Sequence, residues 1–135
     1  MNQRYPAAVG GLTMAAPSLA GCRVLIVEDE YFIAVDLAGI LISHGADVVG
    51  PVPTVDEALE KVLAGGFDVA ALDIGLVDGF SFAVADELKR QGIPFMFVTG
   101  YGPEQIPAVL ADVPCLQKPW SASELVSVVE TLRLT

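Results

Sequence analysis

From Arg23 onward, short runs of unbroken apolar residues alternate with stretches whose apolar positions recur at helical spacing. Val24-Leu25-Ile26-Val27 is apolar throughout, the pattern of a strand covered on both faces in a parallel sheet. Residues 30–43 place Ile33, Leu37, Ile40 and Leu41 on one side of a helix, with His44 beside its end and Gly45 as its stop. A second strand is expected over about Asp47–Gly50, with Pro51 and Pro53 enforcing a turn. Thr54-Val-Asp-Glu57 reads as a capping box, in which hydroxyl and carboxylate satisfy free N–H groups at a helix start. That helix runs to about Ala64, where Gly65-Gly66 ends it. Val69-Ala70-Ala71-Leu72 predicts a third strand leading into Asp73, and residues 80–91 predict a third helix closed by Gly92. Phe95-Met96-Phe97-Val98 is the fourth strand. Pro103, Pro107 and Pro114 bracket only a short apolar pattern, so residues 103–113 predict no full helix. A fifth strand over about Cys115–Gln117 and a second capping box, Ser121-Ala-Ser-Glu124, open a last helix from Ala122 to about Leu132.

This alternation specifies an α/β fold, a parallel sheet with helices on both faces. Five strands favour the flavodoxin-like order 2-1-3-4-5, with a short or irregular fourth helix. The expected domain covers residues 21–135. Residues 1–20, interrupted by Pro6, Gly10, Gly11 and Pro17, read as a flexible tail. A length of 135 residues suits one domain.

Charge narrows the functional classes. The net charge of −10 comes from 17 acidic and 7 basic residues. The basic ones (Arg4, Arg23, Lys61, Lys89, Arg90, Lys118, Arg133) are scattered, whereas nucleic-acid binding calls for a clustered basic surface. No apolar run approaches the roughly 20 residues that span a bilayer. Cys22 and Cys115 have no CxxC spacing and no secretory signal precedes them, which fits reduced thiols in a cytoplasmic protein.

In open parallel sheets, ligands sit beyond the carboxyl ends of the strands. There this chain puts Glu28-Asp29-Glu30 after strand one, Asp73 after strand three, Thr99 after strand four and Lys118-Pro119 after strand five. A single charged residue after a strand is ordinarily just solvated; four strand ends converging on one rim are a constellation. Two like charges 4 Å apart repel by about 4 kcal/mol at an effective dielectric near 20. Protonation, a neighbouring cation or a bound metal must offset this among Glu28, Asp29 and Asp73. Lys118 supplies one positive charge, and hard oxygen ligands favour Mg2+ for the rest. Metal, lysine and hydroxyl together suit phosphoryl transfer. Asp73, on the central strand, is the best-placed nucleophile for an acyl phosphate. Lys118 and the Thr99 hydroxyl are placed to stabilise the equatorial oxygens. Gly100 leaves the approach open, and Gly75 offers a backbone carbonyl to the metal.

Glu28-Asp29 after VLIV, Asp73 after VAAL, Thr99-Gly100 after FMFV, and Lys118-Pro119 together resemble the receiver domains of bacterial response regulators, over about residues 22–133. The resemblance implies transfer of a phosphoryl group from the phosphohistidine of a histidine kinase or phosphotransfer protein to Asp73. It also implies Mg2+ held by Asp29, Asp73 and the Gly75 carbonyl, with Glu28 nearby, and Lys118 and Thr99 touching the phosphoryl group. Pro94-Phe-Met-Phe97-Val98-Thr99-Gly100-Tyr101 resembles the FAT GUY subgroup, largely stand-alone alphaproteobacterial regulators with an altered fourth helix. The chain departs from the family in two places. Asp73-Ile-Gly-Leu-Val-Asp78-Gly79 is short and lacks the usual proline, and Cys115 stands where receivers carry a switch aromatic. Tyr101 is the candidate to replace that aromatic.

The expectation is therefore a stand-alone phosphorylation switch, not an enzyme, whose output is altered affinity for a downstream protein, with no nucleic-acid or membrane partner. Three alternatives stay open: a phosphate sink or shuttle in a relay, an unphosphorylated interaction module, and a phosphatase. The last usually needs a carboxylate two residues beyond the nucleophile, where this chain has Gly75. Trp120 is expected at the core edge, and Phe80 and Phe82 as packing residues.

Overall fold

In the computed structural model, which describes residues 18–100 and 103–135, the apolar runs form one five-stranded parallel sheet. The elements are β1 (Arg23–Val27), α1 (Tyr31–Ser43), β2 (Asp47–Val52), α2 (Val55–Ala64), β3 (Val69–Leu72), β4 (Gly75–Leu76), β5 (Gly79–Phe80), α3 (Phe82–Gln91), β6 (Phe95–Thr99), β7 (Cys115–Gln117) and α4 (Ala122–Leu132). The sheet order is β2-β1-β3-β6-β7, which is the flavodoxin-like order once the separate β4–β5 hairpin is set aside. Two short 3-10 turns, Pro103–Gln105 and Ala108–Leu110, occupy the place of a fourth crossover helix.

Alternate residues of each strand feed two different cores, as a period of two requires. Leu25, Val27, Ala70, Leu72, Phe95 and Phe97 face α2 and α3, together with Val62, Val84 and Leu88. Val24, Ile26, Ala71, Met96 and Val98 face α1 and α4, with Leu37, Leu41, Leu125 and Val129. Leu110, the one fully buried residue of the 3-10 segment, plugs into the first core and pins that irregular crossover to the sheet. Trp120 is half-buried against the second core, at its edge. Phe82 packs on the first core and stacks against Phe80, which remains 54% exposed.

Three boundaries differ from the sequence reading. β2 runs through Pro51 to Val52, because it is an edge strand on which a missing N–H forfeits no inner ladder bond. Gly50, just before it, has φ +91°, and a Cβ there would stand 2.9 Å from the Val52 amide nitrogen and 3.0 Å from the Ile26 carbonyl oxygen. Only glycine fits that turn of the backbone. α3 begins at Phe82 and not at residue 80, since Gly79 and Phe80 pair with Leu76 and Gly75 in an antiparallel hairpin.

The third difference lies at the start. Residues 18–20, read as part of a tail, are anchored to the domain. Leu19 is fully buried among α1 and α4 residues, and its amide donates to the His44 carbonyl at 2.9 Å. Arg133 donates to the carbonyls of Ser18 (3.0 Å) and Ala20 (2.9 Å). One buried leucine and two capped carbonyls suffice to order a short segment that has no periodicity of its own. Residues 1–17 lie outside the described residues. Truncating this anchor, Leu19→Ala, is expected to lower unfolding free energy by about 2–5 kcal/mol. Urea denaturation measures it, and an unchanged midpoint would show that the segment contributes nothing.

Candidate functional site

The carboxyl ends of the strands are locked in register by single backbone bonds. The Glu28 amide donates to the Val52 carbonyl (2.9 Å), the Asp73 amide to Val27 (2.9 Å), and the Lys118 amide to Thr99 (2.8 Å). Since Val27 pairs with Leu72, and Thr99 with Gln117, the next residue of each strand falls at the same rim. Glu28, Asp29, Asp73, Thr99 and Lys118 are thus positioned by the sheet itself.

Carboxylate oxygens of Glu28, Asp29 and Asp73 lie within 4.8 Å of one another. Glu28 and Asp73 are only 3% and 7% exposed, and Thr99 is fully buried, while Asp29 is half-buried. Lys118 reaches into the cluster, its Nζ 3.2 Å from Glu28 Oε1 and 3.4 Å from Asp73 Oδ2. The contact to Asp73 is a hydrogen bond; the one to Glu28 is an ion pair without hydrogen-bond alignment, leaving Oε1 buried and unbonded. The other Glu28 oxygen accepts from the Glu30 amide at 3.1 Å, at the entry to α1.

One lysine cannot neutralise three carboxylates, and the cost appears at Glu28. Burial, then the adjacent Asp73, push its carboxyl up from 4.5 to about 7, against the smaller opposing pull of the Glu30 amide and Lys118. An unbonded buried carboxylate oxygen among converging acids fits a hard divalent cation such as Mg2+, which one or two carboxylates commonly hold. Glu28, Asp29 and Asp73 are the side chains that would hold it. Gly75 lines the same cavity as Asp29, about 370 Å³ in volume, together with Leu76, Gly79 and Phe80.

Two residues at this site escaped the sequence reading. Ser81 is fully buried, and its hydroxyl donates to the backbone carbonyl of Asp73 at 2.6 Å; its amide donates to Ile74 at 2.8 Å. Asp78, read only as part of a shortened loop, accepts from the α2 amides of Val55 (2.8 Å) and Asp56 (3.4 Å), and these bonds lower its pKa, that of Val55 foremost. The expected capping box of α2 is accordingly half formed. The Glu57 amide donates to the Thr54 hydroxyl (3.1 Å), but the Glu57 carboxylate bonds that hydroxyl (3.2 Å). The α4 box is complete, with both Ser121–Glu124 bonds present. A serine eight residues after an aspartate carries no periodic signal, so Ser81 had none; Asp-Gly at a hairpin tip was a usable one for Asp78. Cys115 lies exposed on β7 and Cys22 is buried, both as free thiols. Tyr101 lies outside the described residues.

A family model, the response regulator receiver domain, matches residues 24–130. The transcriptional regulatory protein PdtaR of Mycobacterium tuberculosis is 29% identical over 124 residues, covering 89% of this chain and 60% of PdtaR. The phyllosphere-induced regulator PhyR of Methylorubrum extorquens is 38% identical over 84 residues, 58% of this chain and 31% of PhyR. The chain thus spans only part of the curated relatives it matches. The solution structure of SdrG from Sphingomonas melonis Fr1 superposes with a TM-score of 0.73 at 38% identity, covering 84% of this chain and 97% of SdrG. Among the described residues, no helix is long and apolar enough to cross a membrane.

The raised Glu28 pKa carries a sign. Between about 4.5 and about 7 the folded chain binds more protons than the unfolded one, so metal-free stability falls as pH rises through that window. From pH 5 to pH 7.5, without divalent metal, wild type should lose about 2 kcal/mol relative to Glu28→Gln. Urea denaturation of both proteins at the two pH values measures this, and a pH-independent difference would contradict it.

Proposed function

This chain belongs to the response regulator receiver domain family of two-component signalling, and from that premise we propose that it is a phosphorylation switch with Asp73 as phosphoacceptor. The observation that carries the proposal is the convergence of Glu28, Asp29, Asp73 and Lys118 at one sheet rim, with Thr99 buried beside them. The donor is the phosphohistidine of a histidine kinase or phosphotransfer protein. An Asp73 carboxylate oxygen attacks phosphorus, the O–P bond forms, the P–N bond breaks, and the donor imidazole leaves with the bonding pair. Glu28, Asp29, Asp73 and the Gly75 carbonyl would hold Mg2+, which when bound would supply positive charge to offset repulsion between the carboxylates and the incoming phosphoryl oxygens.

The chain's own groups do the rest. Lys118, already within 3.4 Å of Asp73, moves with its charge onto a phosphoryl oxygen. The Thr99 hydroxyl donates to another. Ser81 holds the Asp73 backbone so that its carboxylate keeps its aim as charge builds. Gly75, two residues beyond Asp73, offers no second acid or base, so the acyl phosphate persists and the domain is a switch and not a turnover enzyme. Phosphorylation adds about −2 charge at the rim, which draws Lys118 and Thr99 toward it and shifts the population of the surface built from β6, residues 103–113 and β7. The readout is a change in affinity for another protein in the cytoplasm. The 38% identity to SdrG and PhyR supports placement in the FAT GUY subgroup.

The test is intact mass after incubation with acetyl phosphate. With Mg2+, wild type should gain one phosphoryl group (about 80 Da), and Asp73→Asn none. Omitting Mg2+ should abolish the adduct. An adduct that survives Asp73→Asn would move the acceptor elsewhere, and none in wild type would favour an interaction module.

A further inference from the structure

The hairpin that follows Asp73 is too small to hold itself. β4 and β5 contribute two residues each, and a two-stranded ribbon of that size is not stable alone in water. Its outer surface buries little, with Val77 79% exposed and Phe80 54% exposed. Its base is tied by Ser81 to Asp73 and Ile74. Leu76 inserts into the first core, and the tip beyond it is bonded by Asp78 across the chain to the first turn of α2.

α2 is therefore capped twice. Thr54, directly before the helix, satisfies the Glu57 amide, while Asp78, more than twenty residues later, satisfies Val55 and Asp56. The two caps serve the same helix end, but only the second connects it to the segment carrying Gly75. We propose that Asp78 is a positioning residue for the site at Asp73. By anchoring the hairpin tip on α2, it holds the Gly75 backbone on the cavity that Gly75 shares with Asp29. The inference rests on the reading of this rim as a metal-dependent phosphoacceptor site and adds a residue on which its geometry depends.

The double cap supplies the control. Asp78→Ala and Thr54→Ala each remove one cap from α2, yet only the first releases the hairpin. Mg2+ affinity by calorimetry, and the rate of adduct formation from acetyl phosphate, are to be compared in wild type, Asp78→Ala, Asp78→Asn and Thr54→Ala. Asp78→Ala should weaken Mg2+ binding by about 10-fold, with Thr54→Ala within about twofold of wild type. Asp78→Asn keeps an acceptor oxygen for the Val55 amide and should recover most of the loss. Equal behaviour of Asp78→Ala and Thr54→Ala, weakened or not, overturns the inference while leaving the phosphoacceptor reading intact. Wild type that binds no Mg2+ overturns both.

Discussion

Three carboxylates held within 4.8 Å, two of them almost wholly out of water, are the constraint around which this domain is organised. Left to themselves they repel by several kcal/mol, and among the described residues a single lysine pairs with them. The remaining imbalance is carried at Glu28, whose carboxyl holds its proton to about pH 7. A divalent cation bound among the three carboxylates would relieve the same repulsion that a proton on Glu28 relieves. A metal held by these carboxylates would also present positive charge at Asp73, which a proton on Glu28 does not.

The sheet explains why such a cluster survives. Every strand that contributes to it is buried on both faces or bonded to a neighbour that is, so the strand ends cannot drift apart without breaking the register of the core. Repulsion at the rim is set against apolar packing distributed over both faces. The less regular parts follow the same logic. The β4–β5 hairpin is secured at its base by Ser81 and at its tip by Asp78, and the 3-10 segment by Leu110 in the core and by Lys89, which donates to the Val109 carbonyl and pairs with Asp112.

What could be read from the chain was whatever repeats or caps locally. The unbroken apolar runs of β1, β3 and β6 gave away a sheet covered on both faces, and the strand-end rule then put Glu28, Asp29, Asp73, Thr99 and Lys118 on one rim. Ser121 and Glu124 announced α4 because both halves of that box are only three residues apart. The prolines around 103–113 marked a crossover with too little periodicity for a full helix, and two 3-10 turns stand there. Long-range ties were illegible for a matching reason. Asp78 caps a helix that precedes it by more than twenty residues, so the Thr54–Glu57 pattern looked self-sufficient. Leu19 reads as one apolar residue in an aperiodic stretch, and only the α1–α4 crevice gives it a partner. Pro51 signalled a turn because the edge position of β2, which makes proline harmless, is a property of the sheet and not of the segment.

The exchange of proton for cation at Glu28 is directly measurable. Titrating Mg2+ into the protein at pH 7 by calorimetry, in two buffers of different ionisation enthalpy, counts the protons released as the ion binds. Because burial and Asp73 raise the Glu28 carboxyl toward that pH, a fraction of a proton should leave per ion bound. Mg2+ binding with no proton released, or no binding at all, would contradict the account.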